Sequence, residues 1–456
     1  MKDRRFLSFM AVLIGALALV AAGCGGDDDD EGGGGAEGGG NVEALPASSC
    51  TGIEFKGDGD PDVLIVSDLP LQGSSRTQTV QMVKAIRYVL DQREWKAGDL
   101  NVGYQVCDDS TAQAGKWDSG KCSQNGQAYA GNASVVGIIG TFNSGCAAIM
   151  IPIANQAPNG PLAMVSPANT FVCLTEGGPG CEDTEPDKYY PTGTRNYVRV
   201  VAHDAYQGAA VAEFAQAQGI KSIYILNDKE AYGLGVATNF RNAVEALGIT
   251  VAGFSAWDPK ASSYEALMNQ IKGTGADAVF LGGLIDENGA QVIKDKVAVL
   301  GPNDGAVKLL APDGFTQQST IDESGVENAR GLFMSIAGIP TEELTGDGEE
   351  FITAFREILG DEPVDPYAAY GAQATVVLLD AIERAGSAER AKIAEEIFNT
   401  KVENGILGTF EINETGDPAL AEGGVVGFSI YRAEEELELE TTISPKPENV
   451  DAARGS

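Results

Sequence analysis

Val135-Val136-Gly137-Ile138-Ile139, the loop Gly140-Thr141-Phe142-Asn143-Ser144-Gly145-Cys146, a helical pattern over 147–156 and Pro161-Leu162-Ala163-Met164-Val165 follow one another along the chain. A Val/Ile run without polar alternation reads as a strand buried on both faces, and such strands belong to parallel sheets covered by helices on each side. A second run of this kind after one helix makes a β/α/β unit with a right-handed crossover. The loop between strand and helix is built of small residues, which leave the first N–H groups of the helix accessible to an anion.

The alternation extends in both directions. Upstream lie Val63-Leu64-Ile65-Val66-Ser67, a helical pattern over 79–92, Val102-Gly103-Tyr104-Gln105-Val106 and a helix near 126–130. Past residue 200 it restarts with a helix over 205–218, strand 222–226, helix 235–247, strand 250–254, helix 264–272, strand 278–281, helix 290–300 and strand 307–310. The interruption over 166–200 divides it into two successive doubly wound units and argues against one barrel. Three helical stretches follow from Phe351, then strand candidates over 408–412 and 425–431. The predicted fold class is α/β, with two doubly wound, Rossmann-like lobes. Residues 41–201 form the first part of lobe 1 and 202–333 the main part of lobe 2. Residues 334–423 return to lobe 1, and 424–456 return to lobe 2 and end in a C-terminal tail.

Length and charge fit this reading. The 456 residues exceed what one hydrophobic core usually spans. Lys and Arg total 31 against 66 Asp and Glu, a formal charge of −35 that argues against nucleic acid or anionic lipid as a partner. His203 is the single histidine, so histidine-rich zinc sites and paired-histidine catalysis are out of reach. No metal or cofactor is expected. The 43% hydrophobic content is that of a folded globular chain.

The first segment is an address. Lys2, Arg4 and Arg5 precede an apolar run over 6–22, the layout of an export signal. That run is at the short limit for a membrane span. Cys24 directly after Ala21-Ala22-Gly23 resembles the lipobox of bacterial lipoproteins, in which the Cys is lipidated and becomes the new N-terminus. The expected signal peptide is 1–23. Residues 24–40 are a lipidated Cys with an acidic, Gly-rich tether reaching about 25 Å as a random coil. Gly33, Gly35 and Gly38 match G-x-G-x-x-G only by low complexity, since no strand precedes them. Removing 1–23 leaves a net charge of −37.

Six cysteines remain, Cys50, Cys107, Cys122, Cys146, Cys173 and Cys181. An even number in an exported chain predicts disulfides, with 15 pairings open. A bridge between Cys173 and Cys181 would staple the loop between them.

In doubly wound sheets, ligands collect at the carboxyl ends of the strands. The loops there are Asp68-Leu69-Pro70-Leu71-Gln72-Gly73-Ser74-Ser75, 140–146, Ser166-Pro167-Ala168-Asn169-Thr170, Asn227-Asp228-Lys229-Glu230-Ala231-Tyr232-Gly233, Gly282-Gly283-Leu284-Ile285-Asp286-Glu287 and Ala311-Pro312-Asp313-Gly314. Their order and spacing over most of 62–435 resemble the leucine/isoleucine/valine-type solute-binding proteins of ABC transporters, with the type I periplasmic-binding-protein fold. The resemblance implies two lobes joined by a three-strand hinge that close on a small solute, an ABC permease as partner, and no catalysis. It further implies that Ser144 and Gly145 receive the ligand carboxylate, and that Ala168, Asn169 and Thr170 hold the amino acid backbone. Asp313 would pair with the ligand ammonium and Tyr232 would cover the ligand. A zwitterion asks for this division, donors at one end and a carboxylate out of water at the other. The acid here is Asp where the family has Glu, one methylene shorter, so it reaches the ammonium only if the lobes close further or the ligand is larger. Insertions over 110–121 and 175–191 exceed the usual loop lengths.

Each of these residues also has a plain structural use. Ser144 and Thr170 are cap or turn residues, Tyr232 suits packing at a helix start, and Asp313 between Pro312 and Gly314 is turn composition. Asp204 is expected to cap the helix from Ala205. Gly115-Lys116-Trp117-Asp118-Ser119-Gly120-Lys121-Cys122 imitates a phosphate loop, but Cys122 stands where Ser or Thr is required. Asp58-Gly59-Asp60-Pro61-Asp62 imitates a calcium loop but lacks its glycine and its terminal acid. No G-x-S-x-G elbow, metal triad or histidine-supported nucleophile supports a hydrolase. The export signal and the family resemblance together imply a monomeric, exported lipoprotein on the outer face of the bacterial cytoplasmic membrane, in the periplasm or at the cell surface, and the resemblance implies a branched-chain-type amino acid as its ligand. The alternatives are a ligand sensor acting on a signalling partner, or binding of another small amide or carboxylate.

Overall fold

The computed structural model describes residues 42–178, 180–420 and 427–455. The signal segment, Cys24, the tether and the start of the 425–431 strand candidate lie outside the described residues.

Within the first lobe the chain runs through β1 (Val63–Leu69), α1 (Arg76–Gln92), β2 (Lys96–Ala97), β3 (Leu100–Asp108), the small hairpin β4 (Ser110–Thr111) and β5 (Lys116–Trp117), and α2 (Ser119–Gly131). It continues with β6 (Val135–Gly140), α3 (Ser144–Asn155), β7 (Ala163–Ser166) and β8 (Tyr197–Arg199). The second lobe follows with α4 (Asp204–Ala217), β9 (Ser222–Asn227), α5 (Ala231–Ala246), β10 (Thr250–Ala256), α6 (Glu265–Thr274), β11 (Ala278–Gly282), α7 (Ala290–Leu300), β12 (Lys308–Ala311), α8 (Gln318–Ser324), α9 (Val326–Ala329) and β13 (Phe333–Ala337). Then come α10 (Asp347–Leu359), α11 (Tyr367–Ala385), α12 (Arg390–Glu396) and a three-stranded sheet of β14 (Lys401–Gly405), β15 (Gly408–Ile412) and β16 (Pro418–Leu420). Last are β17 (Phe428–Ala433), β18 (Leu437–Ile443) and α13 (Pro447–Arg454).

The sheet orders are β2-β3-β1-β6-β7-β8 and β10-β9-β11-β12-β13-β17-β18. Both are parallel except for β2, β17 and β18, which pair antiparallel at the edges. Successive residues of a fully buried strand feed opposite layers. Val63 and Ile65 enter the core shared with α1 and α11, whereas Leu64 and Val66 enter the core under α2 and α3. In the second sheet Ile223 and Ile225 face α4 and α5, while Tyr224 and Leu226 face α6 and α7. Each buried aliphatic contributes about 1.5–3 kcal/mol, which is why continuous apolar runs mark these strands.

Strand order reverses between β1 and β6 in one sheet and between β9 and β11 in the other, so the loops after those strands open onto a crevice in each lobe. Gly140, with φ +153°, is forced at this point because a Cβ there would come within 2.7 Å of the Asp68 carbonyl oxygen.

Several expectations shift. The 166–200 interruption contains β8, so the first sheet extends to Arg199. β13 pairs parallel with β12, which carries the second sheet to Ala337, past residue 333. The antiparallel β17 and β18 then extend that same sheet, while α11 packs on α1 of the first lobe. His203, and not Asp204, is the N-cap of α4, its Nδ1 accepting from the Ala205 N–H at 3.3 Å. All six cysteines pair, as Cys50–Cys107, Cys122–Cys146 and Cys173–Cys181. The second of these ties α2 to α3, and Asp118 caps α2 by accepting from the Lys121 N–H at 2.9 Å, so the phosphate-loop look-alike is a hairpin and a stapled helix start.

Candidate functional site

A narrow cavity lies where the two crevices face each other. Its floor in the first lobe is the loop after β6, with Phe142, Asn143, Ser144 and Gly145. Helix α3 starts at Ser144, three residues before the expected start, so Ser144 and Gly145 stand inside its first turn. Asn143 as N-cap makes no side-chain cap bond, and the open first-turn amides leave the positive end of the helix dipole directed at the cavity. Ser144 Oγ accepts from the Phe171 N–H at 3.3 Å, which leaves its own hydrogen free to donate. Ala168, after β7, also lines this side.

The second lobe supplies Glu230 and Tyr232 after β9, Leu284 after β11, and Asp313 and Gly314 after β12. Asp313 sits in a single turn, 93% shielded from solvent, with Oδ1 accepting from Tyr232 Oη and Oδ2 from Tyr367 Oη, both at 2.6 Å. Burial raises its carboxyl pKa, against the two tyrosines and Gln207, which lower it. Burial and then Asp313 push the Tyr232 and Tyr367 phenols far up, so both stay neutral donors. None of the residues lining the cavity is Lys, Arg or His. A desolvated carboxylate held by neutral donors and lacking a cation is arranged to receive one from a ligand.

Of the seven ligand-site residues expected from sequence, Ser144, Gly145, Ala168, Tyr232 and Asp313 line this cavity. Asn169 and Thr170 are outside that lining. The Asn169 amide is turned inward, donating to the Phe142 carbonyl at 2.9 Å and accepting from Tyr197 Oη at 3.2 Å, so it braces the β6 loop. The Thr170 hydroxyl lies against Asp204, whose pKa burial raises strongly and Thr170 lowers. This loop is held by fully buried Arg199, which donates to the Asn169 and Phe171 carbonyls at 3.0 and 2.9 Å and to Asp417 Oδ1 at 2.6 Å. Burial alone would raise the Asp417 pKa, but Arg199 beside it holds it down to about 2.

Trp117, Phe142, Asn143, Glu230, Leu284, Gly314 and Tyr367 complete the wall and are not among the seven expected site residues. Trp117 comes from the β4–β5 hairpin in the 110–121 insertion and lies over Gly145, where an added Cβ would meet the indole ring at 2.7 Å. Glu230 precedes α5 in a strand-end loop, and no local pattern distinguishes it from a solvated acid. Tyr367 starts α11 on the returning segment and reaches the site only through tertiary packing. Its ring stacks edge-on against Phe142, with centroids 5.7 Å apart.

Contacts between the lobes close the mouth. Asp286 accepts from the Ser74 N–H at 2.9 Å and from Ser75 Oγ at 2.5 Å. Lys116 pairs with buried Glu287, and Gln78 Nε2 donates to the Thr316 carbonyl at 3.3 Å. Among the described residues no helix is long and apolar enough to cross a membrane.

The sequence profile of a family described as periplasmic binding protein matches residues 69–421. The Leu/Ile/Val-binding protein BraC3 of Rhizobium johnstonii is 26% identical over 400 residues, covering 86% of this chain and 97% of that protein. The crystal structure of a leucine binding protein, LivK, from Thermotoga maritima superposes with a TM-score of 0.71 at 25% identity, over 84% of this chain and 99% of that one. The branched-chain amino acid transporter substrate binding protein LivJ of Streptococcus pneumoniae, solved in complex with isoleucine, gives a TM-score of 0.68 at 16% identity, over 84% and 99% of the two chains. At that identity the last likeness establishes the type I periplasmic-binding-protein fold alone.

Proposed function

This chain belongs to the periplasmic binding protein family, and from that premise we propose that it is an extracytoplasmic receptor for a small amino acid, closing its lobes on the ligand and delivering it to an ABC permease. One observation carries the reading: a cavity between the lobes has the open amides of α3 on one wall and the cation-free carboxylate of Asp313 on the other.

The ligand carboxylate is placed at the start of α3, received by the N–H groups of the first turn and by the Ser144 hydroxyl. Its ammonium is placed at Asp313, with the Ala168 segment along its backbone and Tyr232 and Tyr367 fixing the carboxylate from behind. Desolvation of Asp313 is already met in the folded protein, so the ammonium gains a charged hydrogen bond worth about 1.5–3 kcal/mol. Ligand bridging of the α3 start and the Asp313 turn favours the closed form by its differential affinity for the two forms. The closed form is what a permease would recognise. Cys24 is proposed as a lipid anchor on the outer face of the cytoplasmic membrane, and the receptor is proposed to act as a monomer. BraC3 and the other Leu/Ile/Val-binding relatives support an amino acid as ligand.

A calorimetric titration of the purified protein with the twenty amino acids, backed by thermal shift, tests the reading. Saturable binding of at least one amino acid, with a raised unfolding midpoint, is the expected result. Absence of binding to any of them would refute it.

A further inference from the structure

We propose that the ligand's side chain ends in hydrogen-bond donors, an amine, a guanidinium or an amide, received by Glu230, so that the receptor prefers basic and amide amino acids to branched aliphatic ones. The inference rests on the reading above, that the cavity takes an amino acid, and names the class.

The cavity holds a second carboxylate besides Asp313. Glu230 Oε2 stands 3.4 Å from where a Gly145 Cβ would be, on the same side as the Trp117 ring. No hydrogen bond reaches its carboxylate among the described residues, although it is more than half buried. Each charged neighbour that could neutralise it is committed or outside the cavity. Lys116 is paired with Glu287. Lys229 is exposed and Lys260 belongs to the outer groove. Burial, and after it the Glu287 charge, raise the Glu230 pKa while Lys116 opposes them. This is the electrostatic state of an acid short of a cation.

Two further features agree. Asn143 Oδ1, in the same wall, is a buried acceptor without a donor. With Asp313 and Glu230 it makes the cavity rich in acceptors, and a Leu, Ile or Val side chain would leave Glu230 and Asn143 unpaired while excluding water from them, a costly arrangement. Around Glu230 the groove between the lobes carries five further carboxylates against three lysines, on a chain of charge −35. That field raises the local concentration of cationic ligands and repels anionic ones.

The test is calorimetry on the wild-type protein and on Glu230→Gln, with lysine, arginine, glutamine, leucine and isoleucine as probes and the unfolding midpoint of unliganded protein as the folding check. At least tenfold tighter binding of one donor-bearing probe than of leucine is expected, together with collapse of that ratio by tenfold in Glu230→Gln. If Glu230→Gln lowers the unliganded midpoint, Glu230→Ala is measured in its place. Leucine or isoleucine binding tighter than every donor-bearing probe, or an unchanged ratio in the variant, overturns the inference while the amino acid reading stands. Inert behaviour toward all five overturns the inference as well, and the full set of twenty then decides whether the amino acid reading falls with it.

Discussion

Replacing Asp313 by Asn separates a ligand-holding acid from a turn residue, because the two roles move stability and affinity in opposite directions. Asn keeps the shape and bonds of the turn: its Oδ1 accepts from one tyrosine and its amide can donate to the other, the two hydroxyls now at 2.6 Å from the carboxylate. The charge, however, is gone. In the empty protein that relieves a buried carboxylate whose pKa burial has raised, so the unliganded unfolding midpoint at pH 7 stays level or rises. In the complex it removes the partner of the ammonium. A charged hydrogen bond contributes about 1.5–3 kcal/mol and a severed buried pair costs about 3–5 kcal/mol, so affinity falls at least tenfold and up to roughly four-thousandfold. Calorimetry reads the affinity and thermal shift in the absence of ligand reads the stability. For the wild type, affinity also declines as pH falls through the raised Asp313 pKa, and Asn removes that dependence. Wild-type affinity in the variant would refute the assignment of Asp313 to the ligand. A destabilised variant that still binds would make it a turn residue only.

Other predictions follow from the cores and the contacts between lobes. Lys116→Met leaves Glu287 buried without its cation, which costs about 3–5 kcal/mol in the closed form; faster ligand release and a larger radius of gyration in small-angle scattering are expected. Reduction of the disulfides should lower stability by several kcal/mol. Chain entropy ranks Cys50–Cys107, with a separation of 57, first at about 4 kcal/mol, Cys122–Cys146 next at about 3 and Cys173–Cys181 last; denaturant melts of pairwise serine variants check the order. Asp68 and Asp109 are both buried, with burial the main cause of raised pKa values, that of Asp68 at about 7 against an ordinary 3.8. The folded form therefore keeps protons that the unfolded chain loses above about pH 4, and their contribution to stability declines as pH rises from 4 through 7. Asp109→Asn should flatten that slope in pH-dependent melts.

How much of this was legible in the sequence follows from which interactions are local. Parallel strands covered on both faces must be apolar at every residue, and so the runs at 63–67, 135–139, 222–226 and 278–281 announce themselves and coincide with β1, β6, β9 and β11 to within two residues at either end. β18 is half-exposed, an edge strand with polar residues along it, and no such run marks it. Helix starts were misplaced where the first turn is small or polar: α3 begins at Ser144 and α5 at Ala231, so Ser144 and Tyr232 stand inside helices. The amide wall of the cavity was readable because strand, small-residue loop and helix are contiguous.

What the sequence by itself determined is the pair of doubly wound lobes and the strand-end loops that line the cavity, each written in neighbouring residues, whereas Asp313 read locally as a turn residue and only the family resemblance pointed to it as a ligand-holding acid. Only the tertiary structure decided which side chains from those loops share one space. It turned Asn169 and Thr170 away, through Arg199 and Asp204, and brought in Trp117 from an insertion, Glu230 from the opposite lobe and Tyr367 from the returning chain. The physical reason is that a strand's burial is set by its own composition, whereas a cavity wall is set by how two sheets face each other, and no local pattern encodes that distance.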